Sequence, residues 1–97
     1  MATLLGADEL RDALAGLDGW HGDGTKISRT VTLDADRIEP FLGQLRSITR
    51  EMNHDPDLDR DGETLTITMS THSAGGVTDL DVTYARRVDE ILGTPAS

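Results

Sequence analysis

The sequence has no cysteine, which excludes disulfides and thiol catalysis and fits a reducing compartment. Aromatic residues are almost absent: Trp20, Phe41 and Tyr84 are the whole set, so a flat ligand would find few rings to stack on. Positive charge is scarce too. Nine Lys+Arg stand against 18 Asp+Glu, a formal charge of −9, which repels phosphate backbones and anionic membranes and argues against direct nucleic-acid binding. No stretch approaches the ~20 apolar residues of a membrane span. The first residues, Met1 to Glu9, have no basic region before an apolar run and read as no signal peptide. A cytoplasmic protein folded as one domain over residues 1–97 is the expectation, and a domain of this size buries a core modest enough to make self-association unsurprising.

What is present is a sequence of short periodic segments. Residues 7–17 read as a helix, with Leu10, Leu14 and Leu17 at helical spacing beside Ala13. Gly19 and Gly22-Asp23-Gly24 break the chain around Trp20, itself placed on a short strand. Residues 25–33 alternate: Ile27, Val31 and Leu33 on one face, Ser28, Thr30 and Thr32 on the other, with Arg29 interrupting the apolar face. Asp34 or Asp36 can cap a second helix with Pro40 near its first turn, and Ile38, Phe41, Leu42, Leu45, Ile48 and Met52 form its apolar stripe until Pro56. Residues 57–60 form a short strand and Asp61-Gly62 signals a hairpin. The clearest strand follows: Leu65, Ile67 and Met69 against Thr64, Thr66, Thr68, Ser70 and His72, the latter set lining an open polar sheet face. Gly75-Gly76 makes a turn. Thr78 caps a third helix with Asp81 in a capping-box position; Val82, Ala85, Val88 and Leu92 line one side, and Gly93 and Pro95 stop it. The order α-β-β-α-β-β-α predicts an α+β fold, one antiparallel four-stranded sheet with three helices on one face.

Two histidines carry the chemical interest. His54 lies just after the second helix in Asn53-His54-Asp55-Pro56, and His72 closes the long strand. A hairpin at Asp61-Gly62 returns the chain to its starting end and brings His72 toward His54 and Asp55. Imidazoles near a polar surface suit proton transfer near neutral pH, although a histidine at an element boundary is more often a cap or a surface hydrogen-bonder. His21, in a glycine-rich loop, reads as solvent-exposed. Asp81 has two readings, the acidic partner of the Thr78 cap or the orienting group of a catalytic residue. Asp57-Leu58-Asp59-Arg60-Asp61-Gly62 matches the first half of a calcium loop, but Thr68 stands where the last acidic ligand belongs and the next segment alternates as a strand. No compact histidine spacing supports a metal site built from His54, His72 and Asp55, and none is expected. Arg86-Arg87 beside Asp89-Glu90 reads as a solvated face.

The run from Arg50 to Asp81 resembles the pterin-4a-carbinolamine dehydratase family. In that family's signature an acidic residue and three intervening positions precede His-His-Pro. An aromatic follows on the next hairpin, then a strand ending in Thr-His, a glycine-bearing turn and a final Asp. Here His54 and Pro56 match His-His-Pro, Thr71-His72 the strand end, Gly75-Gly76 the turn and Asp81 the acid. Gly19-Trp20, Arg29 and the helix bearing Phe41 match more weakly upstream. Asp55 replaces the second histidine, Arg50 stands where the acid is usual with Glu51 adjacent, and Gly62 stands near the aromatic's place.

The resemblance implies a hydro-lyase that dehydrates 4a-hydroxytetrahydropterin to a quinonoid dihydropterin, in the recycling of tetrahydrobiopterin, with no cofactor or metal. His54 and His72 would be the acid–base pair and Asp81 their support, with Asp55, Pro56, Thr71 and Ser73 as substrate contacts. Asp55 would bind the pterin's amino-pyrimidine edge, stabilise a charged histidine, or pair with Arg50 and leave the site inert. A homodimer or homotetramer is also implied, through sheet edges or helices. Two alternatives share the fold: a non-catalytic scaffold, of the Rubisco-assembly or transcription-cofactor type, and a pocket turned to another small molecule in specialised biosynthesis.

Overall fold

The computed structural model describes residues 3–17 and 19–93. Pro95 lies outside the described residues. The elements run α1 (Ala7–Ala15), β1 (His21–Gly22), β2 (Ile27–Thr32), α2 (Ala35–Met52), β3 (Asp57–Asp61), β4 (Thr64–Met69) and α3 (Asp79–Leu92), with a 3-10 turn at His72–Ala74. The expected α+β order is present. All strand pairings are antiparallel, in the order β1-β2-β4-β3.

Alternation decides which face of the sheet meets the helices. In β2 and β4, Ile27 pairs with Met69, Arg29 with Ile67 and Val31 with Leu65. Apart from Arg29 these side chains are buried, and they join Ile38, Phe41, Leu45 and Ile48 of α2 and Val82, Ala85 and Val88 of α3 in one core. Truncating one of them, Ile67→Ala for instance, should cost about 2–5 kcal/mol. The opposite face is hydroxylated. Thr30 faces Thr66 with their Oγ1 atoms 3.2 Å apart, and Thr32 faces Thr64 at 3.3 Å.

The hairpin forms one residue later than Asp61-Gly62 suggests. Asp61 pairs with Thr64, so Gly62 and Glu63 are the central residues. Gly62 has φ +63°, and glycine at the first central position is what a type II′ turn requires. The carboxylates from Asp57 to Asp61 therefore lie along a paired strand rather than around a cation. Pro40 is the sixth residue of α2, past the first turn, which leaves the Asp36 carbonyl without its usual N–H donor; Asp36 is exposed, so water can serve. The helix stops at Asn53, whose φ of +51° is left-handed and whose N–H returns to the Thr49 carbonyl.

Two readings of side-chain direction are corrected. Strand alternation ends at Met69, so His72 does not extend the polar face; it opens the 3-10 turn, and Thr71 is buried. Asp89 is not solvated. It is buried against Trp20, whose Nε1–H donates to its Oδ1 at 2.8 Å, and against Arg29, whose Nη1 lies 2.5 Å from the same oxygen. Arg29 can occupy the helix-facing side of β2 because this carboxylate meets it there. The neighbouring Arg87 reaches Glu51 on α2 at 2.5 Å.

Candidate functional site

The site is assembled where α2 ends and α3 begins. The segment from Thr71 to Thr78 is held by backbone bonds on both sides. Thr71 N–H donates to the Gly76 carbonyl at 2.8 Å, Val77 N–H to the Gly24 carbonyl at 2.9 Å, and Leu5 N–H to the Val77 carbonyl at 3.0 Å. Gly76 is required by this packing, because a Cβ there would stand 2.3 Å from the Gly24 carbonyl oxygen. With the segment fixed, Thr78 caps α3: its hydroxyl accepts from Leu80 N–H, while Asp81 Oδ2 accepts from Thr78 N–H at 2.9 Å.

Asp81 is the acidic partner of the Thr78 cap and also meets His54. The residue is fully buried. Its Oδ2 also accepts the Thr71 hydroxyl at 2.8 Å, and its Oδ1 lies 2.6 Å from Nε2 of His54. The Thr71 proton being directed at Asp81, the 2.8 Å contact between the Thr71 and Thr78 hydroxyls is donated by Thr78. A chain of hydroxyls thus ends on a carboxylate that faces an imidazole. Asp81 is the third residue of α3, where the helix dipole favours negative charge. A carboxylate oxygen of Asp81 would accept a hydrogen carried by Nε2 of His54. The His54 side chain is 10% exposed.

The predicted residues divide. His54, Thr71 and Asp81 are joined by hydrogen bonds. His72 follows Thr71 directly, and it and Ser73 are exposed. Asp55 and Pro56 line a groove of about 260 Å³ between α2 and β3 that Leu42, Leu45, Arg46, Thr49 and Leu58 complete. Thr78 was legible as a cap but not as part of the hydroxyl chain. Tyr84 is a further residue that sequence reasoning missed. It is fully buried, donates to the Leu45 carbonyl at 3.2 Å and shares a 2.9 Å bond with Thr49. Burial pushes its phenol above the ordinary value, with Asp55 adding to the rise and Thr49 and Arg87 opposing it. It ties α3 to the end of α2 that carries His54. Trp20, Phe41 and Tyr84 are all buried, so none presents an open ring face to a flat ligand.

Comparison with known proteins shows the family. The family model for pterin 4 alpha carbinolamine dehydratase matches residues 3–91. The chain belongs to the pterin-4a-carbinolamine dehydratase family. A Mycobacteroides abscessus protein, provisionally named a pterin-4-alpha-carbinolamine dehydratase, is 38% identical over 94% of this chain and 98% of its own. A Streptomyces avermitilis protein with the same provisional name is 37% identical over 90% and 88%. The crystal structure of a transcriptional coactivator/pterin dehydratase from Brucella melitensis superposes with a TM-score of 0.84 at 32% identity, covering 90% of this dehydratase-family chain and 96% of that one.

Proposed function

We propose that this chain dehydrates 4a-hydroxytetrahydropterin to a quinonoid dihydropterin, with His54 as its ordered proton-transfer group. The observation that carries the reading is the 2.6 Å contact between His54 Nε2 and a fully buried Asp81. In the reaction the C4a–O bond breaks, the hydroxyl leaves as water after taking a proton, N5 loses its hydrogen, and an N5=C4a double bond forms. His54 Nδ1 is the base for N5–H, because its other nitrogen is committed to Asp81. The resulting imidazolium is stabilised by the carboxylate already in contact. His72, exposed at the start of the 3-10 turn, is the acid for the departing hydroxyl. Asp81 positions His54, and the Thr71 and Thr78 hydroxyls position Asp81. Ser73 is a substrate contact beside His72. Asp55 and Pro56 form the rim next to His54, and Thr71 contributes through Asp81 because its hydroxyl is already bonded there. No metal or cofactor takes part. The protein acts in the cytoplasm as a homodimer or homotetramer, without binding nucleic acid.

A second reading has its own support. Asp55 stands where the family carries its second histidine, every described aromatic is buried, and the Brucella relative is called a coactivator as well as a dehydratase. A scaffold, or a pocket used for another small molecule, would tolerate all three. Absorbance-monitored decay of 4a-hydroxytetrahydropterin separates the readings. The enzyme reading expects saturable turnover that falls at least about 10²-fold in His54→Ala and in His72→Ala. Decay no faster than in buffer overturns it. Asp55→His then discriminates further: a large gain marks a crippled native site, and a loss gives Asp55 a role of its own.

A further inference from the structure

Helix α3 meets the C-terminal end of α2 through Asp81, Tyr84 and Arg87, spaced three apart on one ridge of the helix. Asp81 takes the ring of His54 at 2.6 Å, Tyr84 takes the Thr49 hydroxyl at 2.9 Å, and Arg87 takes Glu51 at 2.5 Å. The first two contacts are joined through the main chain. The Thr49 carbonyl accepts from Asn53 N–H at the left-handed cap and from His54 N–H at 3.3 Å. The ring of His54 is thus held by Asp81, and its backbone by the residue that Tyr84 holds.

The phenol does more than fill space. Its O–H donates to the Leu45 carbonyl at 3.2 Å, so the bond to Thr49 is donated by the Thr49 hydroxyl. Leu45 lies four residues before Thr49, and its carbonyl is where a helical threonine hydroxyl can turn when nothing else takes it. Tyr84 occupies that carbonyl and draws the hydroxyl across to α3 instead. It is fully buried, so water does not stand in for it. The Arg87–Glu51 pair differs. Its side chains are 37% and 59% exposed, and an ion pair in solvent holds two helices only weakly.

We infer that Tyr84, acting through Thr49, is a positioning residue for His54: it fixes the main chain from which the imidazole reaches Asp81. The inference takes the role of His54 from the proposed function and rests on that reading. Without the phenol, the Thr49 hydroxyl can turn to the Leu45 carbonyl, and the last turn of α2 loses its buried tie to the helix that carries Asp81.

The test uses the full chain and four variants, Tyr84→Phe, Thr49→Val, Thr49→Ser and Arg87→Gln. Two quantities are read: turnover of 4a-hydroxytetrahydropterin, and solvent exchange of the His54 ring N–H that faces Asp81, which needs no substrate. Tyr84→Phe and Thr49→Val should lower kcat about tenfold with KM unchanged, and speed the ring exchange about tenfold. Thr49→Ser keeps the hydroxyl and should match the wild type in both. Arg87→Gln removes only the exposed tie and should change neither. Wild-type kcat and exchange in Tyr84→Phe overturn the inference. So do equal losses in Tyr84→Phe and Arg87→Gln, which would mark a general tie between helices. A wild type without turnover overturns the pterin reading instead, and the exchange rates then decide the role of Tyr84 alone.

Discussion

Helix α3 carries two buried carboxylates, and their surroundings are opposite. Asp81 lies in the first turn, where the helix dipole supports negative charge, and its partners are two threonines, a backbone N–H and an imidazole. Asp89 lies in the last turn, where the dipole opposes negative charge, and it is held by the Arg29 guanidinium and the Trp20 indole. One carboxylate is buried with an imidazole as its partner rather than a permanent cation. The other is closed by a cation that cannot be discharged at ordinary pH. Burial alone therefore does not separate the two acids; their partners do.

The largest effect should come from breaking the Asp89 side. Asp89→Ala removes the buried carboxylate that Arg29 and the Trp20 N–H share and should destabilise the fold by about 3–5 kcal/mol, measured by urea denaturation. The folded fraction should keep its catalytic constants. A loss of turnover out of proportion to the loss of folded protein would dissolve the distinction between the two acids. Asp81→Asn should act in the reverse sense. The amide can keep the Thr78 cap, but it no longer stabilises an imidazolium. The value of kcat/KM should fall about 10²–10³-fold, with a smaller change in stability.

Thr71→Val sharpens the comparison within the site. It removes one donor from Asp81 Oδ2 and strands the Thr78 hydroxyl, at a cost of about 1–3 kcal/mol. A parallel fall in kcat without a rise in KM would place Thr71 behind the chemistry rather than on the substrate; a change in KM alone would make it a substrate contact. The smallest effect concerns Tyr84. Its folded-state pKa is raised by burial, so its contribution is complete below the unfolded value of about 10 and is lost as pH rises through the folded value. Tyr84→Phe should flatten the decline of stability above about pH 10. An unchanged slope in alkaline thermal melts would show that the phenol is not what resists ionisation.

The contrast also explains what could be read from the sequence. Local devices were legible: the alternation of residues 64–69, the Thr78-Asp81 capping box, and the helical stripe from Ile38 to Met52 all depend on neighbours a few residues apart. The link between His54 and Asp81 was legible only through the family's spacing, since 27 residues separate them. The Asp89 cluster joins residues 60 and 69 apart, so no periodicity announces it. A signal existed: Asp89 falls four after Ala85 and seven after Val82, on the buried stripe, and Arg29 interrupts an apolar strand face. Two charges on faces that should be apolar predict each other. His72 departs from the polar face because Ser70, Thr71 and His72 continue the polar pattern in letters after the backbone has left the strand. The groove that Asp55 lines joins α2 to β3, so its other walls, Leu42, Leu45 and Leu58, are not announced by the residues beside His54.

The direct test of the central claim is the tautomer of His54, read from long-range ¹⁵N–¹H correlations of its ring at a pH where the ring is neutral. The account predicts that the hydrogen stays on Nε2 in the wild type and that this preference is lost in Asp81→Asn. A hydrogen on Nδ1, or a spectrum indifferent to Asp81, would contradict it.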